Sequence, residues 1–388
     1  MRILYICHHT KLNGGTKALL NLLDEVAKKH DVFVLLPSDE GWLVEQLQQR
    51  KIKIYTTKYS LMWFQYKIHS FLCRDNLYKL YRFLRYKKSA EKYVLQLLKE
   101  LHPDLVHCNS GAIDISLSPC LKMKIPHIWH LREYQDIDFG CKMFYGKRHF
   151  LKRIHLKGNY NVAITKDIFD YFKLRSCDRV IYDGPLDIKK IKSSQKKQDI
   201  VLFVGNLLRG KRADLAIRGF VEFYKKFPHY KMLVVGDTID EQYTLECKGI
   251  VKRNGLSATV TFLGKRQDVY EIMSISKMLI VPSNFEGFGF ITAEAMANGC
   301  LVIGRNTAGT KEQMDLGMKS CGYEIAYRFT TLDELVSKME KAASTDTEKM
   351  RISAKNVALN NYTKEIHAQR MLAYYNEVLV DFKQRESY

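Results

Sequence analysis

The chain has 388 residues, a length that favours two domains over one compact core. Hydrophobic residues make up 46% and charged residues 27%, which excludes a disordered chain, a collagen-like repeat and a coiled coil. The 62 Lys and Arg against 42 Asp and Glu give a net charge of +20, which favours a polyanion such as nucleic acid, anionic lipid or a phosphorylated ligand.

Cysteine usage and the N-terminus both favour the cytosol. The nine cysteines are odd in number and include no Cys-x-x-Cys pair, which argues against a disulfide framework and a zinc ribbon. Buried thiols in a reducing compartment are the better interpretation. No run of 18 apolar residues occurs, and MRILYICHHTKLNGG lacks the apolar core and cleavage site of a signal peptide. We therefore expect a cytoplasmic protein without a membrane-spanning helix.

Short apolar runs that alternate with helical stretches predict two α/β domains. Runs rich in Val, Ile and aromatic residues, separated by periodic segments, are typical of parallel sheets with crossover helices. The first series of strands is expected at 2–7, 31–37, 51–55, 104–109, 127–131, 160–164 and 179–183. The second series is expected at 200–205, 231–237, 259–264, 277–282, 300–304 and 322–326.

The polar segment 183–199 separates the two series. It is rich in Lys, Ser and Gln without apolar periodicity, so we interpret it as an interdomain linker between domains at 1–183 and 199–363. Doubly wound domains bind ligands at the carboxyl ends of their strands, which predicts a ligand in the cleft between them. Three helical stretches are expected at the end of the chain, near 331–343, 347–360 and 364–384.

The first candidate motif is VGNLLRGKRADLAIRGF, residues 204–220. A strand ends at Gly205, a loop carries Arg209, Lys211 and Arg212, and a helix is expected to begin near Ala213. Free N–H groups at a helix start attract phosphate, and a nearby Lys or Arg adds positive charge. An ordinary loop with solvated basic side chains is the competing interpretation.

The second and stronger motif is VPSNFEGFGFITAEAMANG, residues 281–299. Glu286 lies in a loop with Gly287 and Gly289, and Glu294 lies in the helix expected from Phe290, which gives a Glu-x7-Glu spacing. Carboxylates pair well with the adjacent hydroxyls of a ribose or sugar, and the intervening amides suit a phosphate. The competing interpretation is one solvated glutamate and one that interacts with the helix dipole.

Other nucleotide chemistries lack their motifs. The sequence contains no G-x-x-x-x-G-K-[ST] string, and no G-x-G-x-x-G follows the first strand, so a P-loop protein and a dehydrogenase are disfavoured. The doubly wound sheets and the net charge leave one alternative open, a basic nucleotide-binding or nucleic-acid-binding protein without transferase activity. Steeply salt-dependent binding to random duplex would indicate that alternative.

The strings VGNLLRGKRADLAI, LVVGD and LGKRQDVYEIMSISKMLIVPSNFEGFGFITAEAMANGCLVIG resemble the nucleotide-sugar glycosyltransferases of family 4, which have the GT-B fold. The resemblance covers nearly the whole chain, and it is strongest over 200–310. It implies two doubly wound Rossmann-like domains that face each other across a cleft. It also implies transfer with retention of configuration from a nucleotide-diphosphate sugar, with no metal or other cofactor and no nucleic-acid partner.

The resemblance assigns roles in the second domain. Glu286 matches the glutamate near the transferred sugar, Glu294 matches the one that holds the ribose hydroxyls, and Lys211 matches the lysine that neutralises the diphosphate. The donor-facing amides are those of Phe288, Gly289 and Phe290. The family usually has Arg directly after the first glycine, where this sequence has Asn206, and Arg209 is the candidate to replace that charge.

In the first domain, the resemblance adds a phosphate-facing loop and a cleft histidine. Gly14 and Gly15 precede a helix expected to begin near Thr16. His130 ends the strand in PHIWHLREYQD and matches the histidine near the transferred sugar. Arg132 and Glu133 complete a His-x-Arg-Glu pattern seen in some members, and we assign them to the acceptor side.

One pattern in the same segment resembles a metal site. Asp136 and Asp138 form the Asp-x-Asp that binds metal in the other large transferase class. The pair does not directly end an apolar strand, so we interpret it as a solvated loop.

Basic and aromatic residues interleave over 59–99, and residues 51–100 alone contain 12 basic against 3 acidic residues. A helix with this composition suits the headgroup zone of an anionic membrane. A second patch of the same kind covers 142–157. We therefore expect a lipid-linked glycan acceptor, work at the inner face of the cell membrane, and a role in cell-surface polysaccharide synthesis. The alternative is that the aromatic rings pack inside and the charges are solvated.

Overall fold

The computed structural model describes residues 1–65, 74–138, 140–192 and 195–386. It divides into two compact units. The first consists of Met1–Gly184 together with Lys364–Tyr388, and the second of Pro185–Thr363. Within the described ranges, no helix combines the length and the apolarity that crossing a bilayer requires.

The first unit is built on a parallel seven-stranded sheet in the order β3-β2-β1-β5-β6-β8-β9. Its strands are β1 (Arg2–Ile6), β2 (Asp31–Leu36), β3 (Lys53–Thr56), β5 (Leu105–Cys108), β6 (His127–Leu131), β8 (Asn159–Ala163) and β9 (Arg179–Val180). A separate antiparallel pair joins β4 (Trp63–Gln65) to β7 (Cys141–Met143). The central strands β1, β5, β6 and β8 are buried on both faces, as a covered parallel sheet requires.

Helices connect the strands of this sheet, and the last helix of the chain also belongs to the first unit. They are α1 (Gly14–Val26), α2 (Trp42–Gln49), α3 (Arg74–Leu101), α4 (Leu117–Met123), α5 (Gly146–Ile154) and α6 (Lys166–Tyr171), followed much later in the chain by α14 (Lys364–Glu386). Met371, Tyr375 and Val378 of α14 join the core formed by α1, α2 and the sheet. The end of the chain therefore stabilises the unit with which the chain begins.

The second unit carries a parallel six-stranded sheet in the order β12-β11-β10-β13-β14-β15. Its strands are β10 (Gln198–Val204), β11 (Lys231–Val235), β12 (Val260–Gly264), β13 (Ser276–Val281), β14 (Leu301–Arg305) and β15 (Tyr327–Phe329). Its helices are α7 (Ala213–Tyr224), α8 (Glu241–Arg253), α9 (Val269–Ile275), α10 (Phe290–Ala297), α11 (Ala308–Cys321), α12 (Leu332–Ser344) and α13 (Glu348–Asn361). Short 3-10 helices lie at Ile188–Lys190 and Arg209–Lys211.

The strand order confirms the expectation of two Rossmann-like α/β domains. In sequence order, the second sheet reads 3-2-1-4-5-6, so the order in which strands are added reverses between β10 and β13. The first sheet reverses in the same way between β1 and β5. Open parallel sheets bind ligands at such switch points, beyond the carboxyl ends of the two strands.

Three details of the prediction differ from the structure. The last strand is Tyr327–Phe329 rather than 322–326, because Gly322 ends α11 in a left-handed conformation and Ile325 packs against Gly317 before pairing with β14 begins. Leu186 pairs with Thr363, so the second unit begins within the expected linker, at Pro185 rather than at 199. The pair β4–β7 was not predicted, since its strands are three residues long and far apart in sequence.

Candidate functional site

The switch point of the second unit brings two loops together, one after β10 and one after β13. Gly205 directly follows β10, and its N–H donates to the carbonyl of Val235 at the end of β11. Gly236 follows with φ +151°, and a Cβ there would lie 1.9 Å from the carbonyl oxygen of Gly205. Only glycine permits this approach, which fixes the start of the loop that carries Lys211.

Lys211 and Glu286 form the central contact of this site. The Lys211 Nζ lies 2.7 Å from the Glu286 Oε1, and the two side chains are 36% and 18% exposed. The backbones are also joined, because the Asn284 N–H donates to the carbonyl of Gly210 at 3.0 Å. The two motifs found separately in the sequence thus lie in direct contact.

Arg209 is directed elsewhere. Its guanidinium lies 2.6 Å from Glu246 of α8 and over the ring of Tyr243. In a 3-10 helix, residues two positions apart are about 120° apart around the axis, so Arg209 and Lys211 point in different directions. The structure therefore does not bring Arg209 to Glu286. Asn206 accepts a hydrogen bond from the N–H of Asp237 and so holds the neighbouring loop.

Glu286 is fixed by its neighbours on two sides. The Ser283 hydroxyl donates to the same carboxylate oxygen, Oε1, at 2.6 Å. The Gly309 N–H, in the first turn of α11, donates to the backbone carbonyl of Glu286. A Cβ on Gly309 would lie 2.3 Å from the carbonyl oxygen of Phe288, so α11 packs directly on this loop.

The loop then turns sharply into α10. Gly289 has φ +89°, which a glycine adopts without strain, and Phe290 is the first residue of the helix. The Gln313 amide donates to the carbonyls of Phe288 and Gly289, at 2.6 and 3.0 Å. Phe288 is buried and packs on Tyr362. These contacts fix the positions of the backbone N–H groups that begin α10.

Glu294 is buried on α10, where it is 4% exposed. The Tyr270 hydroxyl donates to its Oε1 at 3.1 Å. Burial and the adjacent carboxylate raise the pKa of Tyr270 far above its ordinary value, so the phenol keeps its proton. Glu294 is therefore a preorganised acceptor next to the Glu286 loop.

In the first unit, α1 begins at Gly14 rather than near Thr16. Asn13 caps the helix, since its side chain accepts from the Thr16 N–H while the Thr16 hydroxyl accepts from the Asn13 N–H. The two glycines therefore form the first helical turn. A Cβ on Gly15 would touch the Arg132 side chain at 3.6 Å, so this turn lies beside the His130 segment.

His130 belongs to a buried hydrogen-bonded chain. Its Nδ1 lies 3.1 Å from the His107 Nε2 and 3.3 Å from the Arg132 Nη2. The His107 Nδ1 in turn lies 2.7 Å from the Tyr375 hydroxyl. Because Arg132 can only donate, the His130 Nδ1 accepts and the proton is assigned to Nε2. This Nε2 has no partner among the residues that the structure describes. Burial lowers the pKa of His130 well below its ordinary value, so the ring is neutral.

Arg132 is held by an ion pair rather than left open. Its Nη1 lies 2.5 and 2.6 Å from the two carboxylate oxygens of Asp183, and its Nε and Nη2 donate to Asn109. Both charged side chains are almost fully buried, and removing one partner of such a pair is strongly destabilising. Arg132 therefore positions His130 from within the core.

Glu133 and Gln135 have side-chain atoms without a hydrogen-bond partner among the described residues. The Oε2 of Glu133 and both amide atoms of Gln135 are buried without a hydrogen bond in the described part of the chain. Burial raises the pKa of Glu133 to about 8, an effect that Arg132 partly offsets. Gln135 also has φ +78°, an uncommon conformation for a residue with a side chain. A buried group without a partner costs about 1–3 kcal/mol, so both residues are candidates for contacts with a ligand.

The pair Asp136 and Asp138 does not converge on one point. Asp136 accepts from the Tyr171 hydroxyl and from Lys147, whereas Asp138 accepts from the Tyr134 N–H. Over residues 1–65, 74–138, 140–192 and 195–386, no three His, Cys, Asp or Glu side chains are grouped as a metal site would need.

Several supporting residues were not identified from the sequence. They are Ser283, Tyr270 and Gln313 in the second unit and His107, Asp183 and Tyr375 in the first. Ser283 lay within the motif string and could have been noted. The others act across long sequence separations, for which a single sequence carries no signal.

Two parallel sheets with glycine-containing loops at their switch points define a doubly wound, Rossmann-like class of α/β protein. Comparison with known proteins agrees with that class. Residues 186–357, which lie within the second unit, match the model of the family described as glycosyl transferases group 1.

Three similar proteins illustrate the relationship. The N-acetyl-alpha-D-glucosaminyl L-malate synthase of Bacillus anthracis is 28% identical over 34% of this chain and 33% of its own length. The lipopolysaccharide core biosynthesis mannosyltransferase LpsB of Rhizobium meliloti is 22% identical over 56% of this chain and 63% of its own length. The crystal structure of the Anabaena protein HepE in complex with UDP matches with a TM-score of 0.76, at 18% identity over 96% of this chain and 99% of that one.

The structural similarity shows the fold, which is that of GT-B glycosyltransferases. The chain spans less than two thirds of the length of these two curated relatives.

The buried carboxyl of Glu133 predicts a pH-dependent stability. Between its ordinary pKa of 4.5 and about 8, the folded protein keeps a proton that the unfolded chain has released, so this group makes the fold less stable as pH rises. We expect Glu133→Gln to raise the midpoint of urea unfolding relative to wild type, and to do so more at pH 8 than at pH 5. The exposed Glu241→Gln is the control and should show no such trend. An equal increase of the unfolding midpoint at both pH values in Glu133→Gln would contradict the raised pKa assigned to Glu133.

Proposed function

We propose that the chain transfers a sugar, a hexose or deoxyhexose, from a nucleotide-diphosphate donor to an acceptor with retention of configuration. The observation that carries the proposal is the contact between Lys211 and Glu286 at the switch point of a unit that matches the glycosyl transferases group 1 model. The UDP bound to the similar Anabaena protein supports a nucleoside diphosphate as the leaving group.

The chemistry of the leaving group assigns the role of Lys211. When the bond between the anomeric carbon and the phosphate oxygen breaks, its electron pair stays on the diphosphate. A catalyst must stabilise that charge in the transition state rather than only in the bound substrate. Lys211 supplies a cation, and the N–H groups at the start of α10 supply fixed dipoles. In this proposal no metal ion is required.

In this proposal, retention does not use a carboxylate nucleophile. A retaining glycosidase uses two carboxyl groups that flank the scissile bond, one as nucleophile. Here Oε1 of Glu286 accepts from Lys211 and Ser283, and Glu294 is buried against Tyr270. We therefore propose that the acceptor oxygen bonds to the anomeric carbon on the face that the diphosphate leaves. The acceptor's proton passes to the departing phosphate oxygen.

The first unit contributes the groups for sugar hydroxyls in this proposal. The His130 Nε2–H is a neutral donor without a partner among the described residues, and it suits a hydroxyl of the transferred sugar. Glu133 keeps its proton at neutral pH, so its carboxyl can both donate to and accept from an acceptor hydroxyl. Arg132 acts through His130 and Asp183 rather than on the acceptor itself.

Single substitutions test the donor site. We expect Lys211→Ala and Glu286→Gln to lower kcat by a factor on the order of 10²–10³, the typical effect of removing one preorganised electrostatic contact. Glu294→Ala should mainly raise KM for the donor. Turnover of UDP-sugars, measured in EDTA, is the assay, and Lys265→Ala and Glu241→Gln are exposed control variants. Near-normal kcat in Lys211→Ala, or turnover that requires added manganese, would contradict the proposed roles.

We propose further that the acceptor is a lipid-linked saccharide of a cell-surface polysaccharide, reached from the inner face of the membrane. The support comes from α3. Leu77, Tyr81 and Leu84 are 43%, 56% and 46% exposed, and their spacing of four and three residues places them on one face of the helix. Tyr78, Arg82 and Arg85 form the adjacent face. An apolar stripe beside guanidinium groups suits an anionic headgroup region.

Part of the surface predicted from the sequence packs inside instead. Phe64 and Phe83 are buried and stack on Phe144. Lys87 is 15% exposed and lies 2.6 Å from Asp114, so it forms an internal ion pair. Tyr66, Lys67 and Phe71 lie outside the described residues. In the second patch, Phe150 is buried and Arg153 pairs with the same Asp114.

Vesicle sedimentation tests whether the exposed surface of α3 binds an anionic membrane. The variant Arg82→Gln, Arg85→Gln, Lys88→Gln removes exposed charges and keeps the Lys87 ion pair intact. Each basic residue near an anionic surface contributes about 1 kcal/mol, so binding to phosphatidylglycerol vesicles at low salt should weaken on the order of 100-fold. The control is Lys252→Gln, Lys265→Gln, Lys319→Gln, which removes the same charge from the second unit. Equal weakening in both variants would indicate a general charge effect, and no binding by wild type would favour a soluble acceptor.

A further inference from the structure

A pocket of about 410 Å³ lies between α7 and α8 of the second unit. Its wall carries four arginines, Arg209, Arg212, Arg218 and Arg253. The buried side chains of Tyr243 and Ile250 contribute to its lining. The sequence motif had singled out Arg209 and Arg212 as basic loop residues, and the donor site uses neither of them.

The charges in this pocket do not balance. Arg209 pairs with Glu246 at 2.6 Å, and Arg212 pairs with Asp214, whose carboxylate also accepts from the Tyr243 hydroxyl. Arg218 and Arg253 have no ion pair or hydrogen bond with another side chain in the described ranges. Among the side chains that line the pocket, four guanidinium groups against two carboxylates leave a net charge of +2, and the Asp240 carboxylate also lies 4.0 Å from Arg209.

The backbone of Arg212 adopts a conformation that is unfavourable for a residue with a side chain. Arg212 has φ +55°, in the left-handed region that favours glycine. A residue with a Cβ is strained in this conformation. Its guanidinium nevertheless lines the pocket and is aligned by Asp214.

We propose that this pocket binds a small phosphate monoester at a site separate from Lys211 and Glu286. A dianion matches the excess charge of +2, and guanidinium groups form paired hydrogen bonds with phosphate oxygens. The Tyr243 ring and Ile250 offer an apolar surface to the organic part of such a ligand. A concave, half-open volume of about 410 Å³ is of the size of a small molecule.

The pocket is also connected to the donor site. Arg209 and Lys211 belong to one 3-10 turn, in which the Lys211 N–H donates to the carbonyl of Leu208 and the Arg212 N–H to that of Arg209. A phosphate that competes with Glu246 for Arg209 acts on the same turn that presents Lys211 to Glu286.

Binding is tested on the full chain by isothermal titration with inorganic phosphate and with a hexose 6-phosphate. We expect the hexose phosphate to bind more tightly than phosphate alone. Arg218→Ala, Arg253→Ala should weaken its binding at least about tenfold, because each lost contact involves a charged group. The matched control is Lys248→Ala, Lys252→Ala, which removes the same charge from α8 outside the pocket and should bind as wild type does.

Affinity measurements on two variants distinguish this pocket from the donor site. Lys211→Ala should change the affinity for hexose phosphate by no more than about twofold. A tenfold change in affinity would correspond to about 1.4 kcal/mol of binding free energy. Arg218→Ala, Arg253→Ala should leave UDP affinity unchanged. Hexose phosphate binding in a chain without transferase turnover would support the pocket while the proposed function failed.

Three results would overturn the proposal. They are no binding of either probe at millimolar concentration, equal binding by wild type and the double arginine variant, and preference for random duplex DNA or anionic vesicles over the hexose phosphate. The last result would assign the arginines to a polyanion surface.

Discussion

The parallel order of the two sheets is the constraint on which the rest of the structure depends. Because the carboxyl ends of adjacent parallel strands lie at one edge, the chain must place the loops after β10 and β13 side by side. Gly236, which follows β11, allows a close approach to Gly205 after β10, and the contact of Lys211 with Glu286 joins the loops after β10 and β13. The ion pair between Lys211 and Glu286 is partly exposed and adds little to the free energy of unfolding. Its effect is to hold the Lys211 ammonium group in a fixed position.

The first unit uses burial rather than charge to prepare its groups. His130, His107 and Tyr375 lie in an apolar interior, where burial keeps the imidazoles neutral. The ion pair of Arg132 with Asp183 provides the fixed charge in that interior, and its guanidinium sets which nitrogen of His130 carries the proton. The two units thus present different chemistry: one offers a cation with backbone dipoles, and the other offers neutral hydrogen-bond donors.

The sequence predicted those features that are encoded locally. Apolar runs located the strands of both sheets except the last and the pair β4–β7, and the Glu-x7-Glu string located the loop that contacts Lys211. Features that depend on distant partners were not predictable. Whether Arg209 points to Glu286 or to Glu246 depends on the 3-10 turn and on the position of α8. Likewise, 51 residues separate Arg132 from Asp183, and no local pattern indicates that they pair.

Hydrogen–deuterium exchange with and without UDP tests the donor site at Lys211 and Glu286, because it locates a nucleoside diphosphate on the chain without depending on turnover. We expect slower exchange in the segments 205–212 and 283–290, with the C-terminal half of α8 unchanged. Unchanged exchange in both segments at saturating UDP, or protection confined to other parts of the chain, would contradict the assignment of the donor site to Lys211 and Glu286.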